Sequence, residues 1–338
     1  MTAVCVKNRG PFMKVLIALD DTSYSDAAFR SVEARQWPAG TEFFLCTVLT
    51  PYSGSALEDE QVEVIRPARE AWCQQTLKFL DEKAFVLKQS IDNCKVSFDV
   101  RIGNVSEQLA KCALDWEADV IVVGSHGRTG MHRYLLGSVA EAIVDTAPCD
   151  VEVIKSPSLL AHVTNESLAD PIKEEQNRIL VCVDGSPNSV AGLDWTMQAN
   201  WTDNQAFTLL SVIAPVQSDL PLSRFTRAAI VKSAHMEMIK RIEDGLREYT
   251  SVLQNRFSNT GFSFEVQEGR AVETILQFAD KWKADLIIIG AHDEKLPLEA
   301  SVARRVAGYA KCSVKIVRAD DSREVSISDQ AIPSRVYS

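Results

Sequence analysis

"SFDVRIGNVSEQLAKCALDWEADVIVVGSH", residues 97–126, occurs a second time in this chain in closely related form. Residues 263–292 are "SFEVQEGRAVETILQFADKWKADLIIIGAH", and the two segments are identical at 12 of 30 positions, without a gap, at a constant offset of 166. Shared periodicity alone matches residue classes rather than identities, so the chain contains an internal duplication. Its 338 residues are enough for two domains of ordinary size.

The duplication extends in both directions from this segment. Three further pairs of segments correspond: "KVLIALDDTSYSDAAF" (14–29) with "RILVCVDGSPNSVAGL" (178–193), "FFLCTVLTP" (43–51) with "FTLLSVIAP" (207–215), and "APCDVEVIK" (147–155) with "AKCSVKIVR" (310–318). We therefore expect one domain at residues 13–155 and a second at 178–318. The polar segment 156–177 is predicted to be a linker, and residues 319–338 a flexible tail.

Each copy has five short β-rich runs separated by helical patterns. In the first copy, four apolar residues recur at the spacing of one helix face, at Val105, Leu109, Cys112 and Trp116. The runs "VIVV" (120–123) and "LIII" (286–289) are apolar throughout, which is typical of parallel strands covered on both faces. We predict an α/β fold of two tandem doubly wound domains, each a five-stranded parallel sheet with helices on both faces.

Composition and charge narrow the classes of partner. The formal net charge of −10 argues against a nucleic-acid surface, which needs concentrated lysine and arginine. No apolar run approaches the roughly 18 residues of a membrane span, and the N-terminus lacks a secretory pattern. We expect a cytoplasmic protein that binds neither nucleic acid nor membrane. The eight scattered cysteines form no CxxC pair and are expected to be reduced structural thiols rather than zinc or disulfide sites.

The glycines after the fourth strand of the first copy have a regular spacing. Gly124 and Gly127 follow the strand, and Gly137-Ser138 opens the helical segment "SVAEAIVDT", which gives the pattern G-x2-G-x9-G-S. Glycine lets the backbone turn and lets an anion approach closely. The free amides of a helix start, its positive dipole end and the Ser138 hydroxyl can together bind an anion. The alternative is that these residues are turn and cap residues alone.

With this spacing, the sequence resembles the universal stress protein family in its tandem two-domain form. The resemblance covers about residues 13–318, and "GSHGRTGMHRYLLGS" (124–138) fits the ATP-binding pattern of the family, G-x2-G-x9-G-[ST]. It implies a sheet order of 3-2-1-4-5 and an adenine nucleotide at the strand ends. The implied ligand is ATP, with or without magnesium.

The resemblance also implies roles for individual residues. Asp20 would contact the ribose or adenine side, and the backbone of Val48 would bind the adenine edge. The phosphates would be surrounded by residues after the fourth strand and at the following helix start: Gly124, Gly127, Gly137, Ser138 and Val139. We add Arg128 as a mobile phosphate partner, with a solvated loop charge as the alternative. We expect His126 to orient the loop rather than act as an acid or base.

The second copy departs from the glycine pattern. It keeps Gly290, but Asp293 replaces the second glycine and Ala300 replaces the third, and only six residues separate them. A carboxylate close to a phosphate costs on the order of 1–4 kcal/mol per charge pair. We expect the second copy to be degenerate for triphosphate and to be structural or regulatory.

Three classes of function remain open at this point. The favoured class is an ATP-binding stress-response protein, in which nucleotide orders the segment 128–136 and changes the surface shown to a regulatory protein partner. A slow ATPase or phosphotransferase is the first alternative, although no general base and no "GxxxxGK[ST]" motif is evident, so we expect at most weak hydrolysis. The second alternative is an interaction module without nucleotide.

The resemblance finally implies a pairing of the fifth strands. In this family the fifth strands of two domains pair antiparallel about a two-fold axis, so a tandem chain can form an internal pseudo-dimer. The strands would be "CDVEVIK" (149–155) and "CSVKIVR" (312–318), and Glu152 would correspond to Lys315. Opposite charges facing each other favour this mixed pair. Further homodimer formation is left open.

Overall fold

The fold is that of a computed structural model. It describes residues 13–50, 59–126, 136–155, 177–199, 201, 204–215, 225–257, 260–291 and 301–319, with the backbone alone for 59–65 and 225–230. The chain divides into two compact units. The N-terminal unit contains the first copy of the repeat, and the C-terminal unit contains the second.

The N-terminal unit alternates strands and helices along the chain. Its elements are β1 (Lys14–Ala18), α1 (Ser23–Glu33), β2 (Glu42–Leu49), α2 (Asp59–Ser90), β3 (Lys95–Ile102), α3 (Val105–Asp115), β4 (Val120–Gly124), α4 (Ser138–Thr146) and β5 (Asp150–Ile154). The strands are parallel and follow the order β3-β2-β1-β4-β5. This is the order that the family resemblance implies.

The C-terminal unit repeats the same arrangement. Its elements are β6 (Asn177–Cys182), α5 (Pro187–Gln198), β7 (Gln205–Ile213), α6 (Phe225–Arg256), β8 (Gly261–Glu268), α7 (Ala271–Trp282), β9 (Leu286–Gly290), α8 (Val302–Tyr309) and β10 (Ser313–Val317). Its parallel strands follow the order β8-β7-β6-β9-β10. The predicted fold class, two tandem doubly wound α/β domains, is confirmed.

Apolar residues on both faces of the central strands build the core of each unit. In β4, the whole run from Val120 to Val123 is buried, as the unbroken apolar sequence predicted. On one face of the sheet, α1 contributes Phe29 and Val32, and α2 contributes residues three and four apart, Leu80, Ala84 and Leu87. Within the described residues, no helix is both long and apolar enough to cross a bilayer.

Successive strands are added on one side of β1 up to β3 and on its other side from β4 onwards, and this change of direction places the candidate site. β1 lies between β2 and β4, so the connection leaving β1 runs towards β2 and the connection leaving β4 runs in the opposite direction, towards β5. In doubly wound sheets the crevice at the carboxyl ends of such strands is where ligands bind. The residues that follow β1, β2 and β4 are therefore the ones to compare with the predicted site.

A charged side chain of β5 is buried. Glu152 is 1% exposed, and its carboxylate accepts a hydrogen bond from the Arg35 guanidinium, just beyond the end of α1. Arg35 also donates to the Ser31 hydroxyl at 2.9 Å. A buried carboxylate needs such a partner to offset its desolvation. Glu152 is therefore not the solvated strand charge that a β-strand glutamate usually is.

The equivalent position of the C-terminal unit carries a buried charge of opposite sign. Lys315 is also 1% exposed, and its Nζ atom lies 4.4 Å from the centroid of the Trp195 ring on α5. Trp195 occupies the position that corresponds to Ser31. A cation over a tryptophan face is stabilised by the ring quadrupole, and more so when it is desolvated. The fifth strands of the two units thus differ in how they accommodate a buried charge.

Replacing Arg35 with alanine is expected to destabilise the N-terminal unit. Removing one member of a fully buried ion pair costs roughly 3–5 kcal/mol, and we expect about 2 kcal/mol here because the guanidinium is partly exposed. Denaturant unfolding of R35A measures this loss. The matched control is R30A in the preceding helix α1, because Arg30 forms an exposed i,i+4 pair with Asp26 and its loss should cost less than about 1 kcal/mol. Equal losses in the two variants would contradict the prediction.

Candidate functional site

Asp20 follows β1 and is held by the turn that leads into α1. Its Oδ1 atom accepts hydrogen bonds from the Thr22 backbone N–H at 3.0 Å and from the Thr22 hydroxyl at 2.6 Å. Thr22 is also the N-cap of α1, where its hydroxyl accepts from the Ser25 N–H at 3.2 Å. The half-buried Asp20 carboxylate therefore has a defined position at the carboxyl end of β1. Its contact with a ribose stays a prediction.

Val48 presents its backbone at the point where the pairing of β1 with β2 ends. The Cys46 carbonyl accepts from the Leu19 N–H at 2.9 Å, towards β1, and the Leu49 carbonyl accepts from the Gly103 N–H at 3.0 Å, towards β3. Backbone groups alternate sides along a strand, so Val48 directs its N–H and C=O to the β1 side, as Cys46 does. The paired register of these strands stops at Ala18 and Cys46. The Val48 backbone thus faces the crevice.

Gly124 has a structural reason to be glycine. A Cβ atom at this position would lie 2.6 Å from the backbone carbonyl carbon and oxygen of Tyr24, at the start of α1. Gly290 is equivalent: a Cβ there would lie 2.7 Å from the backbone of Asn188 and Ser189. In both units, the close approach that requires this glycine is that of a helix start. This packing requirement was not predicted from the sequence, which indicated that the absence of a side chain at Gly124 makes room for an anion.

The start of α4 carries no side-chain cap. Gly137 is the N-cap residue, with φ −64° and ψ 150°, and as a glycine it has no side chain to cap the first turn. The helix ladder begins with the Glu141 N–H donating to the Gly137 carbonyl at 2.9 Å, so the N–H groups of Ser138 and Val139 have no partner within the helix. Ser138 is exposed and Val139 half-buried. This end of α4 has the amides and the dipole direction that suit an anion.

Ser125 and His126, which precede the segment 127–135, are held by three contacts. The Ser125 hydroxyl is hydrogen-bonded to His126 Nδ1 at 3.1 Å, and the His126 ring packs against the Tyr24 ring with centroids 4.9 Å apart. The Ser125 carbonyl accepts from the Gly137 N–H at 2.8 Å. The residues on either side of the segment 127–135 are therefore held together. This geometry favours the predicted loop-orienting role of His126.

The corresponding helix start in the C-terminal unit is capped. Ser301, which corresponds to Ser138, is the N-cap of α8 and accepts from the Arg304 N–H at 3.2 Å. It is also buried, whereas Ser138 is exposed. The Ser301 hydroxyl is thus already used for capping, and one first-turn amide is already satisfied.

Two residues that the sequence analysis did not single out belong to these sites. Tyr24 and Asn188 occupy equivalent positions, four residues after Asp20 and Asp184. Tyr24 contacts His126 in one unit, and Asn188 is hydrogen-bonded to two strand ends in the other. Aligning the two copies and noting an aromatic residue opposite an amide in an otherwise similar turn could have identified them.

Four of the discussed positions lie outside the described residues. These are Gly127 and Arg128 in the N-terminal unit and Asp293 and Ala300 in the C-terminal unit. Their predicted roles stay predictions. In the part of the chain that the structure describes, no group of three or more histidine, cysteine, aspartate or glutamate side chains is arranged to hold a metal ion.

Seven of the eight cysteines lie in the described residues, and none of the seven forms a disulfide: Cys46, Cys73, Cys94, Cys112, Cys149, Cys182 and Cys312. Cys46 on β2 and Cys112 on α3 are buried against each other, and the neighbouring thiol together with burial raises the pKa of Cys46 above its usual range. A buried thiol with a raised pKa is a poor nucleophile. This agrees with a structural role.

Comparisons with known proteins identify the family. The model of the universal stress protein family matches residues 11–155 and again residues 176–318. This chain therefore belongs to the universal stress protein family and contains two of its domains in tandem.

Individual relatives are distant. Universal stress protein MJ0531 of Methanocaldococcus jannaschii is 28% identical over 148 residues, which is 43% of this chain and 84% of that protein. Universal stress protein Rv2005c of Mycobacterium tuberculosis is 27% identical over 177 residues, and the match spans about half of each chain, 52%. A solved universal stress protein from Archaeoglobus fulgidus has a TM-score of 0.55 at 13% identity, covering 91% of this chain and 97% of that one. The last comparison supports the fold alone.

Proposed function

We propose that the N-terminal unit binds ATP at the carboxyl ends of β1, β2 and β4, and that the C-terminal unit is structural or regulatory. The observation that carries this proposal is the uncapped, exposed start of α4, which ends a complete family ATP-binding spacing. The equivalent helix in the C-terminal unit begins with a buried, capping serine. The two units differ at the element that would receive phosphate.

The described residues fit the parts of an adenine nucleotide. The N–H groups of Ser138 and Val139 suit a phosphate oxygen, because they point out of the first turn of α4. The Val48 backbone presents one donor and one acceptor, which is what the edge of an adenine base needs. The Asp20 carboxylate can accept hydrogen bonds from ribose hydroxyls. Gly127 and Arg128 complete the phosphate side on sequence grounds, and magnesium, if bound, would be held through the phosphates.

Bound nucleotide would act on the segment that follows β4. Contacts with phosphate favour the conformations of residues 128–136 that make them, and a ligand shifts an equilibrium by its difference in affinity for the two states. The surface of this segment would then differ between the nucleotide-bound and the free protein. A regulatory protein partner that contacts this surface would detect the nucleotide.

Nucleotide content of the purified protein tests the proposal. We expect about one ATP per chain when small molecules released from the denatured protein are identified by mass, and calorimetric titration of the nucleotide-free protein should give the same stoichiometry. Two ATP molecules per chain would contradict the inactive C-terminal unit. Absence of any adenine nucleotide, with no heat on titration, would overturn ATP binding and favour an interaction module.

The matched control uses the corresponding serines. Ser138→Ala removes an exposed hydroxyl at the proposed phosphate site and should weaken ATP binding, whereas Ser301→Ala removes a buried cap and should lower stability by about 1 kcal/mol without changing ATP affinity. If Ser301→Ala weakened ATP binding and Ser138→Ala left it unchanged, the nucleotide would lie in the C-terminal unit.

A further inference from the structure

Tyr24 and Asn188 occupy equivalent positions in the two units but have different side chains. Tyr24 and Asn188 both lie in the first turn of the helix that follows the first strand, α1 or α5. The backbone of each fills the space next to the glycine that ends the fourth strand, Gly124 or Gly290. Tyr24 and Asn188 therefore lie at equivalent places, each beside the end of the fourth strand of its unit.

In the N-terminal unit, the Tyr24 side chain contacts the His126 ring, and the Ser125 carbonyl after β4 accepts a hydrogen bond from Gly137. The Tyr24 ring packs on the His126 ring, with 4.9 Å between centroids and 39° between planes. The carbonyl of Ser125 then accepts from the Gly137 N–H at 2.8 Å. Gly137 is the N-cap of α4, so this hydrogen bond fixes the start of the helix relative to the end of β4.

In the C-terminal unit, the Asn188 side chain donates a hydrogen bond to the carbonyl at the equivalent position. Asn188 Nδ2 donates to the Ala291 carbonyl at 3.1 Å, and Ala291 corresponds to Ser125. Asn188 Oδ1 accepts from the Ala319 N–H at 2.7 Å, just past the end of β10. One side chain thus joins the residues that follow β9 and β10, using both its donor and its acceptor.

We propose that Tyr24 is a positioning residue for nucleotide binding in the N-terminal unit, and that an asparagine at this position, as at position 188, weakens binding. A phenol ring at this position orients His126 by packing and leaves the Ser125 carbonyl to Gly137. An asparagine there would add a second donor to the same carbonyl, as Asn188 does at the Ala291 carbonyl, and would weaken the hydrogen bond from Gly137. This inference rests on the proposed function, because it concerns the binding of ATP by the N-terminal unit.

The physical basis is preorganisation. The amides at the start of α4 can receive phosphate at low cost only if they are held at a fixed distance from the end of β4. The hydrogen bond between Gly137 and Ser125 provides this fixed distance, and the packing of the Tyr24 ring on the His126 ring fixes the residue that follows Ser125. Losing one such anchor weakens binding by roughly 5- to 10-fold or more.

Substitution at position 24 in the full-length protein tests the inference. We expect Y24F to bind ATP within about threefold of the wild type, because the ring contact with His126 does not need the hydroxyl. Y24N should bind about 10-fold or more weakly, because its amide competes for the Ser125 carbonyl. Calorimetric titration gives the affinities, and thermal unfolding establishes that both variants are folded. N188Y is the control in the C-terminal unit and should leave the measured ATP affinity unchanged.

The outcomes separate this inference from the proposed function. If the wild type binds ATP and Y24N binds equally well, ATP binding stands and the role of Tyr24 is overturned. If the wild type binds no ATP, the proposed function itself fails. A cycle of Y24A, H126A and the double variant adds a readout that a merely structural role would not produce. Non-additive losses of ATP affinity support action of Tyr24 through His126, and additive losses contradict it.

Discussion

Replacing Gly137 with aspartate is expected to abolish ATP binding while the N-terminal unit stays folded. The backbone of Gly137 already has the extended conformation of an N-cap residue, and aspartate is among the preferred N-caps. Its carboxylate would accept from the first-turn amides of α4 that we assign to phosphate. It would also oppose the phosphate charge by about 1–4 kcal/mol per pair. Together these effects predict an affinity at least about 100-fold lower.

Asparagine at the same position separates the two effects. G137N offers a cap of similar geometry without the charge, so we expect its affinity to lie between those of the wild type and G137D. Calorimetric titration with ATP ranks the three proteins, and thermal unfolding should show G137D at least as stable as the wild type. Wild-type affinity in G137D would remove the start of α4 from the site.

Asp194→Asn is expected to stabilise the C-terminal unit at neutral and alkaline pH. Asp194 on α5 is 7% exposed, and burial raises its pKa from 3.8 to about 6. The folded state therefore binds the proton more tightly than the unfolded state, and stability falls as the pH rises from about 4 to about 6. A shift of about two pKa units corresponds to about 3 kcal/mol. Asparagine removes this loss because it carries no charge.

The pH profile is the measurement that decides this prediction. We expect D194N and the wild type to have similar free energies of unfolding at pH 4 and to differ by about 3 kcal/mol at pH 8. Burial, and then the Asp194 carboxylate, raise the pKa of Tyr249 on α6 to about 12, so this phenol stays neutral across the range. The surface control is D244N, which removes an exposed carboxylate paired with Arg247. A difference independent of pH would contradict a buried, titrating Asp194.

The fold was predictable because its signals are local and occur twice. The apolar run at β4 and the one-face spacing in α3 each describe an element by its own residues, and the duplication doubled the evidence. The sequence segment "SVAEAIVDT" coincides with α4 as the structure has it, Ser138–Thr146. Periodicity and turn chemistry suffice for such elements, since neither depends on distant contacts.

The site was only partly predictable, because its missing parts are contacts between distant segments. Tyr24 and His126 are 102 positions apart in the sequence (126 − 24), and nothing in either segment predicts that their rings meet. The ion pair of Arg35 with Glu152 spans 117 residues, and a charge in an apolar strand gave no sign of it. Asn188 resembles an ordinary helix-start residue until the ends of β9 and β10 are placed beside it. Such pairs follow from the topology, which the local patterns imply only in outline.

The glycine that ends the fourth strand bears on how the two copies could diverge. In each copy, a helix start packs against this glycine so closely that a Cβ atom would overlap its backbone, and this demand exists whether or not a ligand is present. Under the proposed function, the C-terminal copy needs the glycine at position 290 for packing but does not need glycine at positions 293 and 300, where it has aspartate and alanine. The first glycine of the spacing is thus explained by packing alone, whereas the second and third are the positions at which the proposed site distinguishes the two copies.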